Sequence, residues 1–284
     1  MPATFVVVPE WQGSVSARAM SHADGAHAIH GDLPSASTVL VDVPVEAGES
    51  LGSGVQRYSA LHRVRERAAT ALAAASGTPI VIGGDCGVAL ASVAAASARH
   101  PDDLAVLWLD AHPDLNSPET SPSGAFNGMV LRAIAGEGAD GLVLDPGASI
   151  PPARIVVAGA RAVDDGEQSF IDEHGVAMLS TDDLGDPQRV LDALAATGVR
   201  NVYIHVDLDV LDPSALAGLS YPLPFGVGAS ELVALLKAVV ERFPLAGASI
   251  AGFTPASPEV AIDDLPTILR VVGALASGAA SGAR

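Results

Sequence analysis

The stretch Asn-Val-Tyr-Ile-His-Val-Asp-Leu-Asp-Val-Leu-Asp-Pro at residues 201–213 joins an apolar β-type run to a cluster of acids. Side chains two residues apart in a strand lie on the same face, so Asp207 and Asp209 are expected to converge on one point. Neither lysine nor arginine occurs within residues 201–213, so the acids lack a local ion-pair partner. This stretch therefore predicts a buried strand that ends in a functional site.

A second apolar run ends in the same way. Residues 105–109 (Ala-Val-Leu-Trp-Leu) are followed by Asp110, His112 and Asp114. Four carboxylates and an imidazole at one point repel one another unless cations neutralise them. Oxygen ligands with one nitrogen suit Mn²⁺ better than a structural zinc site. Two carboxylates in bridging positions indicate two metals, an arrangement that activates water for hydrolysis.

Apolar β-branched runs alternate with helical patterns along the whole chain, which predicts a parallel sheet covered by helices on both faces. We expect one α/β domain over residues 1–284, with loops at 116–125 and 212–228 and a frayed tail at 276–284. Ligands of open parallel sheets bind beyond the carboxyl ends of the strands, where every acidic motif of this chain falls. The predicted strands are 4–8, 38–43, 79–82, 104–109, 154–159, 176–179, 201–206 and 247–252, and the predicted helices are 57–76, 87–99, 127–135, 167–174, 187–197, 229–242 and 261–275.

Composition excludes several partners. The net charge of −18 argues against nucleic acid and anionic membranes as partners. No apolar run reaches membrane-spanning length, and the first residues lack the basic flank of a signal peptide. The single cysteine, Cys86, excludes an intrachain disulfide and fits a reducing cytoplasm.

A third motif, Gly-Gly-Asp-Cys-Gly at residues 83–87, follows the strand-like run 79–82. Taken alone it is typical of an ordinary turn between a strand and a helix with a buried thiol. In this order, however, the three motifs resemble those of the ureohydrolase family, which includes arginase and agmatinase. The family pattern is Gly-Gly-Asp-His-Ser, then Asp-Ala-His-x-Asp, then Ser-x-Asp-x-Asp-x-x-Asp-Pro. The resemblance extends over residues 80–255 and implies a three-layer α/β/α sandwich around an eight-stranded, mainly parallel sheet.

The resemblance also implies the chemistry, which is hydrolysis of a guanidino group by a hydroxide that bridges two Mn²⁺ ions. Asp110 and Asp207 would bridge the metals and support the hydroxide, and Asp212 would be a supporting acid behind them. By motif, one metal would be held by Cys86, Asp110, Asp114 and Asp207, and the other by Asp110, His112, Asp207 and Asp209. Because a thiolate is a softer ligand than imidazole, Cys86 leaves other divalent metals open.

Two further segments resemble the parts of arginase that bind an amino acid. Asn116, Ser121 and Ser123 match the loop that hydrogen-bonds the α-carboxylate, and Asp164 and Glu167 match the acids that accept from the α-amino group. Loops rich in Ser and Pro and acidic turns are common, so each segment has an ordinary structural explanation as well. Together they favour a small α-amino acid substrate over agmatine, which has no carboxylate.

Three residues depart from the family pattern. Cys86 replaces a metal-binding His, Asn127 replaces a His that shuttles protons at the substrate, and Gly252 replaces the Glu that pairs with the guanidinium. An arginine guanidinium is always charged and needs such partners. An N-hydroxyguanidine is less basic, because its oxygen withdraws charge, and it can bind neutral. The chain therefore most resembles family members that hydrolyse Nω-hydroxy-L-arginine to L-ornithine and hydroxyurea in D-cycloserine biosynthesis, an antibiotic pathway.

Two alternatives stay open: an arginase or another hydrolase of guanidino or formimino acids, and a non-catalytic binder of the same fold. We expect a monomer, because the chain ends soon after its last predicted helix. His22, His27 and His30 are expected in a solvated N-terminal loop, and His205 is expected to be a packed residue behind the metal ligands.

Overall fold

The protein, described over residues 2–281 by a computed structural model, folds around one eight-stranded sheet. The strand order is β2-β1-β3-β8-β7-β4-β5-β6, and every neighbouring pair is parallel. The strands are β1 Ala3–Val8, β2 Thr38–Leu40, β3 Thr78–Gly83, β4 Leu104–Leu109, β5 Ile155–Ala158, β6 Ala177–Leu179, β7 Asn201–Asp207 and β8 Leu245–Ala251. All eight predicted strands are therefore present, with ends shifted by a few residues.

Helices cover both faces of the sheet and complete the predicted three-layer α/β/α sandwich. The helices are α1 Ser21–Gly31, α2 Tyr58–Ala74, α3 Ala89–Arg99, α4 Val130–Ile134, α5 Asp165–His174, α6 Thr181–Leu184, α7 Pro187–Ala196, α8 Ala229–Arg242 and α9 Pro258–Ser281. Side chains of α1, α7, α8 and α9 pack on one face of the sheet, and those of α2, α3, α4 and α5 pack on the other. The alternation of strand side chains supplies both layers of core, which explains why the strand sequences read as continuous apolar runs.

The central strands are buried along their whole length. Every residue of Leu104–Leu109 is buried, as is every residue of Leu245–Ala251. Polar side chains at the ends of these strands are therefore positioned by a buried, closely packed core. In the described part of the chain, no helix is both long enough and apolar enough to span a membrane.

Two predictions about the chain ends were wrong. The predicted solvated loop around His22 is the helix Ser21–Gly31, in which the His22 side chain is buried. The helix packs on the core through Ala26 and Ile29, an apolar face that is hard to recognise among the polar neighbours in the sequence.

Residues 276–281, predicted as a frayed tail, continue the last helix, because the helical face with Ala274, Leu275 and Ala279 is buried. Residues 282–284 lie outside the described residues.

Candidate metal centre

The acidic motifs meet at the carboxyl ends of β4 and β7, which are neighbours in the sheet. Leu109 is paired with Val206, so the chain places Asp110 and Asp207 side by side immediately after the paired residues. Cys86 begins a short 3₁₀ turn after β3 and contributes to the same space. A cavity of about 310 Å³ is lined by all six predicted metal ligands, Cys86, Asp110, His112, Asp114, Asp207 and Asp209.

His112 is held between two carboxylates. Its Nδ1 lies 3.1 Å from Asp209 Oδ2 and 3.5 Å from Asp110 Oδ1. Burial alone would lower the pKa of His112, but the hydrogen bonds and charges of Asp110 and Asp209 raise it to about 12. Burial alone would raise the pKa of Asp209, and the hydrogen bond from His112 instead holds it below its usual value. The His112–Asp209 pair is therefore a compact charged unit at the cavity wall.

Cys86 is packed against the acids on the other side of the cavity. Its Sγ lies 2.9 Å from Asp207 Oδ2 and 4.0 Å from Asp110 Oδ2, and the latter oxygen also accepts a hydrogen bond from Trp108 Nε1 at 3.1 Å. Burial and then the charges of Asp207, Asp114 and Asp110 raise the pKa of the thiol well above its usual value. Without a cation the thiol therefore stays protonated.

The remaining carboxylates are destabilised in their charged form. Burial, followed by the charge of Asp209, raises the pKa of Asp110 to about 7 and that of Asp207 well above its usual value. Burial and the neighbouring Asp110 do the same to Asp114. Asp114 also adopts the left-handed backbone conformation, with φ 52°, and its buried Oδ2 has no hydrogen-bond partner. Such strain and unpaired polar atoms cluster at functional sites.

These observations fit a site for divalent cations. Across residues 2–281, neither lysine nor arginine forms an ion pair with Asp110, Asp114, Asp207 or Asp209. Near these acids, potential ligand atoms form two groups with spacings suited to metal binding, Cys86–Asp110–His205 and Asp110–His112–Asp209. Both groups contain Asp110, in keeping with its predicted bridging position. Buried like charges that lack a protein partner are stabilised by a bound metal.

The structure confirms the prediction that His205 is a packed residue. Its ring is fully buried on β7 and stacks on Trp108 at a centroid distance of 3.7 Å. Burial lowers its pKa to about 3, so the imidazole is neutral. The sequence indicates that His205 lies near the acids, because it precedes Asp207 by two residues and therefore lies on the same face of the strand.

The predicted substrate residues line the opposite wall. Asn116, Ser121, Ser123, Asn127, Asp164 and Glu167 all contact the cavity. Asn116 Nδ2 donates to Asp164 Oδ2 at 2.9 Å, which couples the two loops. Ser121 Oγ accepts from the amide of Gly124, and Ser123 Oγ accepts from the amide of Ala125, so each hydroxyl proton is left to donate to a ligand.

Glu167 has a structural role that the sequence did not reveal. Its Oε2 accepts from the amide of Asp164 in a capping box at the start of α5, and its Oε1 accepts from the amide of Leu115. Both oxygens are thereby engaged by the backbone. Glu167 therefore fixes the loop that carries Asp164 to the cavity.

The positions of three other residues, Asp212, Gly252 and Tyr221, do not follow from the sequence motifs. Asp212 does not line the cavity; its Oδ2 accepts from the amides of Phe225 and Gly226 and organises the loop after β7. Gly252 has φ +85°, and a Cβ at this position would lie 2.1 Å from Asp207 Oδ1. Tyr221, which the sequence analysis missed, lines the cavity, and its ring meets His112 edge-on at 6.1 Å.

The sheet order and the paired acidic strand ends define a metallohydrolase of the α/β/α type. Comparison with known proteins identifies the family: the arginase family model matches residues 15–262, and the chain belongs to the arginase family. Its members are metal-dependent amidinohydrolases that act on C–N bonds, and the family in general depends on a binuclear manganese centre.

Individual relatives cover most of the chain. It is 34% identical to N(omega)-hydroxy-L-arginine amidinohydrolase of Streptomyces lavendulae, over 80% of this chain and 79% of that protein. It is 33% identical to an arginase of Bacillus caldovelox over 76% of this chain and 77% of that protein. The match to an arginase of Staphylococcus aureus (strain MRSA252), 35% identical over 63% of this chain, spans 65% of that relative's length.

Solved structures show the same fold. The arginase of Entamoeba histolytica aligns with a TM-score of 0.85 at 22% identity over 96% of this chain and 97% of that chain. The arginase of Bacillus cereus aligns with a TM-score of 0.77 at 26% identity over 96% and 97% of the two chains.

The predicted preference for a monomer was wrong, because proteins with this fold are typically oligomeric. That prediction rested on the short segment after the last predicted helix. A chain end gives no information about the other surfaces through which subunits pack.

Proposed function

We propose that this chain is a dimetal hydrolase that cleaves Nω-hydroxy-L-arginine to L-ornithine and hydroxyurea. In this proposal residues 1–284 act as one catalytic domain, and Mn²⁺ is the metal of choice for the oxygen-rich ligand set. Cys86, Asp110, His112, Asp114, Asp207 and Asp209 would hold the two ions. When bound, the ions supply a nucleophile at neutral pH by lowering the pKa of water.

The observation that carries the substrate assignment is the contact between Gly252 and Asp207. The family pattern has a Glu at position 252 that pairs with a charged guanidinium. Here a Cβ at position 252 would lie 2.1 Å from Asp207 Oδ1, so the carboxylate of Asp207 occupies the space that a side chain at position 252 would need. A neutral N-hydroxyguanidine needs no carboxylate at this position, whereas the arginine guanidinium is always charged.

The side chains at the opposite wall supply the remaining specificity in this proposal. The hydroxyls of Ser121 and Ser123 donate to the α-carboxylate, and Asp164 Oδ2, already oriented by Asn116, accepts from the α-amino group. Asn127 orients the guanidino-like group by hydrogen bonds but cannot transfer a proton. This division of roles requires an α-amino acid whose leaving group does not depend on a histidine at position 127.

The second candidate is arginase itself. The similar proteins of Staphylococcus aureus and Bacillus caldovelox bear that name. This candidate requires other residues to replace the missing Glu and His. Glu259 is a poor replacement, since its side chain is exposed and lies outside the cavity lining.

The deciding experiment measures ornithine release by Mn²⁺-reconstituted protein, with L-arginine and Nω-hydroxy-L-arginine supplied in parallel. We expect a strong preference in kcat/KM for the hydroxylated substrate. Equal or better turnover of arginine contradicts the proposal and favours the second candidate. Binding of two metals without activity on either substrate also contradicts it.

Two variants control for unspecific loss of activity in that experiment. Asp207→Ala should abolish ornithine release together with metal binding. Asp172→Ala removes an exposed acid on α5, away from the cavity, and should leave the rates unchanged.

The cellular context of the enzyme follows from the same proposal. We place it in the cytoplasm, because its one thiol is proposed as a metal ligand and needs a reducing compartment. Hydroxyurea production for antibiotic biosynthesis, including that of D-cycloserine, stays a prediction that a gene deletion with product analysis would test.

A further inference from the structure

The imidazole of His205 is held in one orientation in the buried core next to Cys86 and Asp110. Its Nδ1 lies 2.7 Å from Ser249 Oγ on the neighbouring strand β8, and its ring is stacked on Trp108 with an interplanar angle of 22°. The side chain has 0% exposure, and its Nε2 has no hydrogen-bond partner among the described residues. A buried imidazole nitrogen without a partner is rare in proteins.

The His205 ring lies close to two candidate metal ligands, Cys86 and Asp110. Because Nδ1 is hydrogen-bonded to Ser249 Oγ, Nε2 is the ring nitrogen that is left to bind a ligand. Ligand atoms of Cys86, Asp110 and His205 lie within 4.8 Å of one another, close enough to surround a single ion. The orientation resembles that of metal-binding histidines in general, which donate the other ring N–H to an oxygen acceptor.

The sequence shows an exchange at the same two positions. The ureohydrolase pattern has His at the position of Cys86 and Ser at the position of His205, whereas this chain has Cys and His. Both changes fall within the same group of atoms. This group of atoms therefore still contains an imidazole, but the imidazole comes from β7 instead of from the turn after β3.

We propose that His205 Nε2 is a ligand of the ion held by Cys86 and Asp110, in place of the histidine missing at position 86. This inference rests on the dimetal part of the proposed function, but not on its substrate. The resulting donors are a thiolate, an imidazole and carboxylate oxygens, a set that favours Co²⁺ or Zn²⁺ more than the oxygen-rich second position does. The two positions are therefore expected to differ in metal preference.

The test uses the full-length protein loaded with Mn²⁺ or Co²⁺. Pulsed EPR of the Mn²⁺ protein labelled with ¹⁵N-histidine counts the imidazole nitrogens coupled to the metals. We expect two in the wild type, from His112 and His205.

Optical titration with Co²⁺ follows the thiolate band of the ion at Cys86, and we expect His205→Ser to weaken binding at that position by roughly 10–100-fold. The band should keep its intensity at saturation, because Cys86 remains.

Two further variants keep the result interpretable. The double variant Cys86→His/His205→Ser restores the family arrangement and should recover most of the lost Mn²⁺ affinity, with the nitrogen count again at two. His22→Gln removes a buried histidine outside the cavity and should alter neither the nitrogen count nor Co²⁺ binding.

The outcomes separate the two proposals. A wild-type protein with two bound ions but one coupled imidazole overturns the inference and leaves the proposed function intact, and this readout needs no variant to fold. Unchanged Co²⁺ affinity in His205→Ser likewise overturns it. A wild type that binds neither metal overturns both, whereas two coupled imidazoles in an enzyme inactive on hydroxyarginine support the inference alone.

Discussion

Gly252 illustrates how one residue leaves space for a carboxylate of the candidate metal centre. It follows β8 with φ +85°, and its Cα hydrogen occupies the space where a Cβ would meet Asp207 Oδ1 at 2.1 Å. The position thus needs glycine for two reasons, its left-handed backbone and its contact with a proposed bridging carboxylate.

Substitution Gly252→Ala should therefore displace Asp207 and weaken metal binding. The positive φ alone costs about 1 kcal/mol for a residue with a Cβ, and the contact with Asp207 adds to it. Isothermal titration with Mn²⁺ should show at least one weakened site, and urea unfolding should show lower stability. Gly147→Ala, where no atom lies near the added Cβ, is the matched control. Wild-type Mn²⁺ affinity in Gly252→Ala would contradict this view.

His22 predicts a pH dependence of folding that is independent of the metal. Burial lowers its pKa from 6.5 to about 4, and its Nε2 pairs with Ser220 Oγ at 3.1 Å. In the unfolded chain His22 binds a proton as the pH falls below 6.5. In the folded protein it binds that proton only near pH 4. Stability from this group is thus complete above pH 6.5 and falls as the pH decreases, by roughly 1.4 kcal/mol per unit and about 3 kcal/mol in total.

The measurement compares the free energy of unfolding of chelator-treated wild type and His22→Gln across this pH range. The variant should show a shallower decline in stability as the pH falls. His27→Gln, on the exposed face of the same helix, should follow the wild type. Parallel curves for wild type and His22→Gln would show that His22 is not responsible.

Among the elements, the loop 212–228 determines what covers the metal centre. Asp212 accepts from the amides of Phe225 and Gly226 at one end, and Tyr221 hydroxyl pairs with Ser14 Oγ at 3.0 Å. Arg161 donates to several carbonyls on both sides, including those of Asp209 at 2.8 Å and Leu223 at 2.9 Å. Hydrogen bonds therefore hold the loop against the strand ends that carry the candidate metal ligands.

Asp212→Ala should loosen this loop without removing a metal ligand. We expect KM to rise severalfold while metal content stays at the wild-type value, because Tyr221 loses its fixed position over His112. Limited proteolysis should show faster cleavage within residues 212–228. Asp263→Ala, an exposed acid on α9, is the control. Loss of bound metal in Asp212→Ala would instead indicate that the acid supports the ligands directly.

At the scale of the whole molecule, the sheet concentrates negative charge at one edge. The four carboxylates of the centre are each at most 6% exposed, and the chain carries a net charge of −18. Keeping such groups charged without cations opposes folding. The fold therefore gains stability from any ion that binds only the native state.

Mn²⁺ should consequently raise the melting temperature of the protein, and a chelator should lower it. At a free concentration of 100 times Kd, each site adds about 2.7 kcal/mol. Differential scanning calorimetry with increasing Mn²⁺ measures the effect, and Asp207→Asn should lose most of it. A melting temperature that is indifferent to both Mn²⁺ and chelator would contradict the metal site.

The sequence by itself determined the eight parallel strands, and it predicted the six residues that the structure brings together at the candidate metal centre. It did so because strand periodicity and acids at strand ends are local patterns, readable within residues 105–114 and 201–213. It did not determine the helix Ser21–Gly31, whose apolar face is too weak to stand out among three histidines.

Only the tertiary structure decided which residues distant in sequence contact one another at and around the candidate metal centre. The stacking of His205 on Trp108, the approach of Gly252 to Asp207 and the position of Tyr221 over His112 all join residues far apart in the chain. Such contacts depend on strand register and loop packing, which no local pattern encodes. The tertiary structure likewise decided that Asp212 organises a loop while Glu167 caps a helix, since the same carboxylate can do either until its neighbours are placed.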